Sequence, residues 1–190
     1  NPYENDWFAG TLTLENAYAP ELLPWGGAHL RVLGENTVDG TLGGTGLLFT
    51  GGGSLAAGEL NVWAWGSVRA PLLAVRDGAD VRCGALHMGS NVEEKGTLLV
   101  ESGSLTVGGE FWLQNAALTV TGGELTLAGD ASIDRGEVHI SGGTVSFEHG
   151  LWLGEGDIVI TGGTVIVPGG EAGLTAENGK VTISGGAVRE

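Results

Sequence analysis

Residues 96–115 read GTLLVESGSLTVGGEFWLQN, residues 116–135 AALTVTGGELTLAGDASIDR and residues 136–155 GEVHISGGTVSFEHGLWLGE. Aligned, the three segments share their apolar positions and a glycine corner. GDIVITGGTVIVPGGEAGLTAEN continues the series over 156–178, and GKVTISGGAVRE begins a further unit. The apolar residue just past each corner falls at Leu105, Leu125, Val145, Val165 and Val188, in steps of 20, 20, 20 and 23 residues. A fixed period of this length marks a stack of small units, none of which buries its apolar face alone.

Each unit carries three apolar-x-apolar triplets, best formed in Leu118-Thr119-Val120, Leu125-Thr126-Leu127 and Ala131-Ser132-Ile133. Alternation along a strand puts the outer residues of a triplet on one face and the middle residue on the other. So short a strand pairs with its equivalent one unit above and below, about 4.8 Å away, since its sequence neighbours lie around a corner. The corners Thr121-Gly122-Gly123, Ser141-Gly142-Gly143, Thr161-Gly162-Gly163 and Ser184-Gly185-Gly186 supply the sharp turns. No helix and no Lys follows them, so a phosphate-cradling loop is a poor reading.

Upstream the period loosens, with equivalent positions placed at Leu30, Leu55 and Val81. Residues 11–27, with Pro20, Pro24 and Trp25, break it and are expected to form an irregular insertion or a partial cap. The chain therefore reads as an all-β, single-domain parallel β-helix (β-solenoid) over 1–190. It has about seven coils of about 20–26 residues with three short strands each, most regular over 96–190.

Composition agrees. There are 37 glycines without a Gly-X-Y period, which excludes collagen, and 42% apolar residues, too many for a disordered linker. Eight Lys and Arg face 23 Asp and Glu, a formal charge of −15. That balance argues against a nucleic-acid partner and against adhesion to anionic membranes. No apolar run reaches the length of a membrane span, no signal peptide pattern is present, and the start at Asn1-Pro2-Tyr3 fits a processed or excised chain. The single cysteine, Cys83, has no internal disulfide partner.

The pattern x-Leu-Thr-Val-Ser/Thr-Gly-Gly-x-Leu/Val-x-Val, followed by Gly-x-x-Trp-Leu-Gly, resembles the Gly-rich β-strand repeats of autotransporter passengers and other large secreted bacterial surface proteins. The match is best over 96–190 and looser over 28–95. The resemblance implies a right-handed parallel β-helix exported to the cell surface as a stalk, adhesin or polysaccharide-associated module. Similar coils carry unrelated activities, so it speaks to fold more than function.

Stacking turns sequence positions into surface files. The middle residues of the third strand give Asn61, His87, Trp112, Ser132 and Trp152. Trp112 and Trp152 would stand two coils apart, about 10 Å, as stacking platforms for a glycan that Trp63 and Trp65 extend. The same face also suits a protein partner, or packing beneath a loop. The second-strand file reads Arg31, Ala56, Arg82, Thr106, Thr126, Ser146, Ile166 and Arg189, too narrow a hydroxyl row for ice binding. The first-strand file holds Leu48, Leu99 and Val159, an outward apolar stripe suited to cover by another chain.

No file shows the acid cluster with a basic residue that polysaccharide elimination requires. The acids of Asp77-Gly78-Ala79-Asp80 and Glu155-Gly156-Asp157 read as solvated turn residues. His29, His87, His139 and His149 fall on different coils without zinc-ligand spacing, and Cys83 reads as a buried small hydrophobe. The expectation is a non-enzymatic protein with no metal and no cofactor.

The ends suggest a partner. The final unit stops after its second strand, while Asn5–Gly10 running into Thr11-Leu12-Thr13-Leu14 looks like a third strand entering a first. Trp7, Phe8, Leu12 and Leu14 of one copy could complete the coil begun by Val181, Ile183 and Val188 of another, head to tail, into a filament. The alternative is that neighbouring coils belong to a longer chain. The expected function is thus a structural or adhesive module, extracellular or at the cell surface. The alternative is a carbohydrate-binding module using the Trp face.

Overall fold

The computed structural model describes residues 8–24, 26–64, 70–91, 93–168 and 173–190, with Phe8 and Ala9 described by backbone only. Every strand pairing between its coils is parallel, and no helix occurs among the described residues. The protein is a parallel β-solenoid of about eight turns.

Register follows the repeat. Leu105 is opposite Val81 on one side and Leu125 on the other, and Val145, Val165 and Val188 continue the file. The first-strand file runs Leu30, Phe49, Val75, Val100, Val120, Ile140, Ile160 and Ile183. The inward side chains make one continuous core in which Phe49, Phe111, Phe147 and Met88 are fully buried.

At the downstream corners the second glycine of each pair takes positive φ, +73° at Gly143. Coils also approach closely there. A side chain at Gly143 would place its Cβ 2.5 Å from the carbonyl oxygen of Gly123 in the coil before. The motif is therefore required twice, by backbone conformation and by coil spacing.

The N-terminal third departs from the expectation. Leu30 belongs to the first-strand file, opposite Leu12 and Phe49, and the residue opposite Leu55 in the second-strand file is Asn36. Arg31 accordingly leaves that outward file, and Thr37 stands opposite Ala56 in its place. The described residues of 11–27 join the stack in register with the next coil. Phe8–Glu15 pairs with Gly27–Leu33, Tyr18-Ala19 pairs with Thr37-Val38, and Leu22 bridges Leu42. A coil with a two-residue second strand and a single third-strand bridge thus lies where the sequence suggested a break, and the count rises from about seven to about eight.

The physical reason is local. The corner at Leu33-Gly34-Glu35 has one glycine, φ +64°, instead of a Gly-Gly pair, and its lining residue is polar. Asn36 is only 3% exposed. Its Oδ1 accepts a hydrogen bond from the Ala17 amide at 2.9 Å, and its Nδ2 donates to the carbonyls of Leu33 at 3.0 Å and Ser54 at 3.1 Å. One amide side chain therefore ties three successive coils, with its buried polar atoms satisfied.

The second and third strands also merge upstream. Glu35–Gly44, Ser54–Ala64 and Asp80–Ser90 each run through the bend as one strand, whereas downstream the two are separate. Outside the tube, Leu48, Leu72 and Ala74 form a second small buried cluster with Leu99 packed against it. The expected exposed stripe is thus already covered at Leu48, which is 4% exposed.

Candidate functional site

The third-strand file is Gly43, Asn61, His87, Trp112, Ser132, Trp152 and Thr175, in that order along the tube. The strands hold these backbones about 4.8 Å apart, and alternation aims the side chains outward. Trp63, two residues beyond Asn61 on the same face, lies opposite Gly89. A Cβ at Gly89 would fall inside the indole of Trp63, so the missing side chain lets that ring lie flat on the sheet. Trp112 stacks on it, with ring centroids 5.6 Å apart and an interplanar angle of 18°. Such a pair gains about 0.5–1.5 kcal/mol beyond its area burial.

The two tryptophans singled out from the repeat, Trp112 and Trp152, therefore do different things. Trp112 is half-buried in a stacked pair. Trp152 stands beyond Ser132, 42% exposed, and leans on Gly154 of its own strand. The stacked pair is Trp63 with Trp112. Trp65 lies outside the described residues.

Around the pair is a polar set. His87 meets Trp112 edge-on at 6.3 Å. Its Nδ1 is 3.1 Å from Glu59 Oε1, and its Nε2 is 3.3 Å from Glu110 Oε2. A neutral ring donates to one carboxylate and an imidazolium to both. Asn61 Nδ2 also donates to Glu59 Oε1, at 3.1 Å. Asn61, Trp63, His87, Glu110 and Trp112 line a cleft of about 490 Å³. A second cleft of about 510 Å³, formed in part by Glu21, Pro24, Thr41 and Gly43, shares Asn61 and Trp63 with the first.

Sequence reasoning found Asn61, Trp63, His87 and Trp112 but missed Glu59, Glu110 and Gly89. Glu59 was legible: two residues before Asn61 on one strand, it shares its face. The place of Gly89 beneath Trp63 depends on a ring rotamer and was not.

Elsewhere, Cys83 is buried in the tube, and burial pushes its thiol up to about 12. Among the described residues no group of three or more His, Cys, Asp or Glu is placed to hold a metal ion.

At the tube's ends, core-lining positions are exposed: Leu12 44%, Val181 40%, Ile183 54% and Val188 38%. Their register equivalents Leu30, Ile158, Ile160 and Val165 are fully buried. Leu14 is half-buried against the core. The Phe8 backbone pairs with Gly27 at the head of the first strand, while Trp7 lies outside the described residues. No family model matches the chain, and no curated protein or solved structure matches it.

Proposed function

We propose that this solenoid is a non-catalytic adhesive module of a secreted or cell-surface protein, and that it holds a carbohydrate chain against the Trp63–Trp112 face. The observation that carries the reading is the cleft itself, a flat aromatic pair beside a convergent polar set. Sugar rings present apolar C–H faces that pack on indole and hydroxyl rims that take hydrogen bonds. Asn61, His87, Glu59 and Glu110 offer both donors and acceptors at that rim. Among the described residues neither cleft is lined by Lys or Arg, the basic residues expected at an eliminating site.

A glycan array tests this with Trp63→Ala, Trp112→Ala and Trp152→Ala. Binding should be lost in the first two and kept in the third. Wild-type protein with no Trp112-dependent signal refutes the proposal.

The exposed lining at the end coils favours a second, compatible reading, in which a second copy stacks head to tail. Val181–Ile183 and Ala187–Arg189 are each hydrogen-bonded to the coil before, and their apolar side chains continue the inward files. Sedimentation velocity over a concentration series should show growing species that Ile183→Lys removes. A single monomeric boundary at all concentrations refutes stacking and leaves the glycan face untouched.

A further inference from the structure

We infer that the ligand of this face is a linear polysaccharide carrying free amino groups, lying lengthwise along the solenoid; the inference rests on the glycan reading above. The first ground is continuity. The two clefts meet at Asn61 and Trp63, so together they form one trough. It starts at Glu21 and Pro24 in the first coil and passes Thr41 and Gly43 in the second. Asn61 and Trp63 follow in the third, His87 in the fourth, then Glu110 and Trp112 in the fifth. Four steps of about 4.8 Å give about 19 Å. A chain lying across the tube would meet one short strand, whereas a chain along it meets five.

The second ground is shape. Gly43 occupies the outward position one coil before Asn61 and brings no side chain. Half-exposed Leu23 leans over that position, its Cδ2 3.3 Å from where a Cβ would stand, so an apolar floor joins the first coil to the indole pair.

The third ground is charge. Glu21 and Glu110 line the trough on the first and fifth coils, Glu59, bonded to Asn61 and His87, stands between them on the third, and among the described residues no lining residue is Lys or Arg. His87 takes one oxygen of each neighbouring carboxylate, Oε1 of Glu59 and Oε2 of Glu110. In a chain whose formal charge is −15, this trough repels uronate or sulfate polymers. A neutral glycan uses the carboxylates only as acceptors for its hydroxyls. An ammonium binds them more strongly, through charge-assisted hydrogen bonds, and also lies against the indole faces. The carboxylates recur on alternate coils, about 10 Å apart. In an extended chain of alternately flipped sugars, an amino group faces the same side on every second unit.

Calorimetry with three hexamers, of glucosamine, N-acetylglucosamine and galacturonate, at mildly acidic pH tests the inference. The glucosamine hexamer should bind about tenfold tighter than its acetylated counterpart, as expected for charged hydrogen bonds. In Glu21→Gln/Glu110→Gln, whose fold is checked by circular dichroism, that preference should collapse. Thr41→Arg, in the second coil, should weaken the hexamer and spare the glucosamine dimer. Equal or tighter binding of the acetylated or galacturonate hexamer overturns the amino chemistry while the glycan face stands. A hexamer that binds no better than the dimer, or that ignores Thr41→Arg, overturns the lengthwise placement. No Trp112-dependent binding of any of the three overturns this inference, and failure across the wider array overturns the glycan reading as well.

Discussion

Replacing glycines of one corner separates two reasons for their presence. Gly143→Ala puts a Cβ on a residue at φ +73° and 2.5 Å from the Gly123 carbonyl oxygen. Left-handed backbone costs an L-residue about 1–2 kcal/mol and overpacking about 1–3 kcal/mol, so the variant should lose about 2–5 kcal/mol. Gly142→Ala meets the Thr121 carbonyl oxygen without positive φ, and should lose only the packing share, about 1–3 kcal/mol. Gly52→Ala meets nothing within 4 Å and should stay within about 0.5 kcal/mol of the parent. Urea unfolding followed by backbone circular dichroism measures all three. With slopes of about 1–3 kcal/mol/M, a loss near 3 kcal/mol moves the midpoint by about 1–3 M. If Gly143→Ala and Gly142→Ala both unfold with Gly52→Ala, the coils are not in the contact described.

Phe147→Ala, at 1% exposure inside the tube, should lose about 3–5 kcal/mol in the same assay. Trp152→Ala, 42% exposed, should lose less than about 1 kcal/mol. Cys83 has its thiol raised from 9.0 to about 12 by burial. The stability this contributes is intact below pH 9 and is lost as pH rises toward 12. Parent protein should therefore weaken by about 1 kcal/mol more than Cys83→Ala between about pH 8 and pH 10, and parallel profiles would contradict it. The stacked indoles should give an exciton couplet in the far-ultraviolet dichroism. Trp63→Phe and Trp112→Phe should each abolish it and Trp152→Phe should not; survival in either of the first two means the rings are not paired.

Much of the fold was legible because a parallel stack writes its geometry directly into sequence spacing. Leu105, Leu125, Val145 and Val165 are equivalent in chain and in space alike. The reading failed where a structural role was filled by another chemistry. At Asn36 a satisfied amide replaced an aliphatic residue, and at Gly34 one glycine turned the chain where Gly-Gly pairs do so at the corners from Gly122 onward. The step from Leu30 to Leu55 then looked long because Leu30 stands on the first strand and Asn36 holds the second-strand place, and the coil before it was read as an interruption. For the site, the outward file was readable from period two alone. What escaped depended on side chains reaching sideways: the carboxylates of Glu59 and Glu110 closing on His87, and Trp63 turning over Gly89 to meet Trp112.

A stack of similar turns has a failure mode that a less repetitive fold lacks: the chain can be threaded one turn out of step and still bury leucine against valine. Asn36 works against that error as an indexing pin. Shifted by one turn, its amide would face Leu55 or its equivalents and lose the partners it has in Ala17 and Ser54, at about 1–3 kcal/mol for the buried amide stranded. One buried amide in a largely apolar bore thus tells the first three turns which of several interchangeable rungs is theirs.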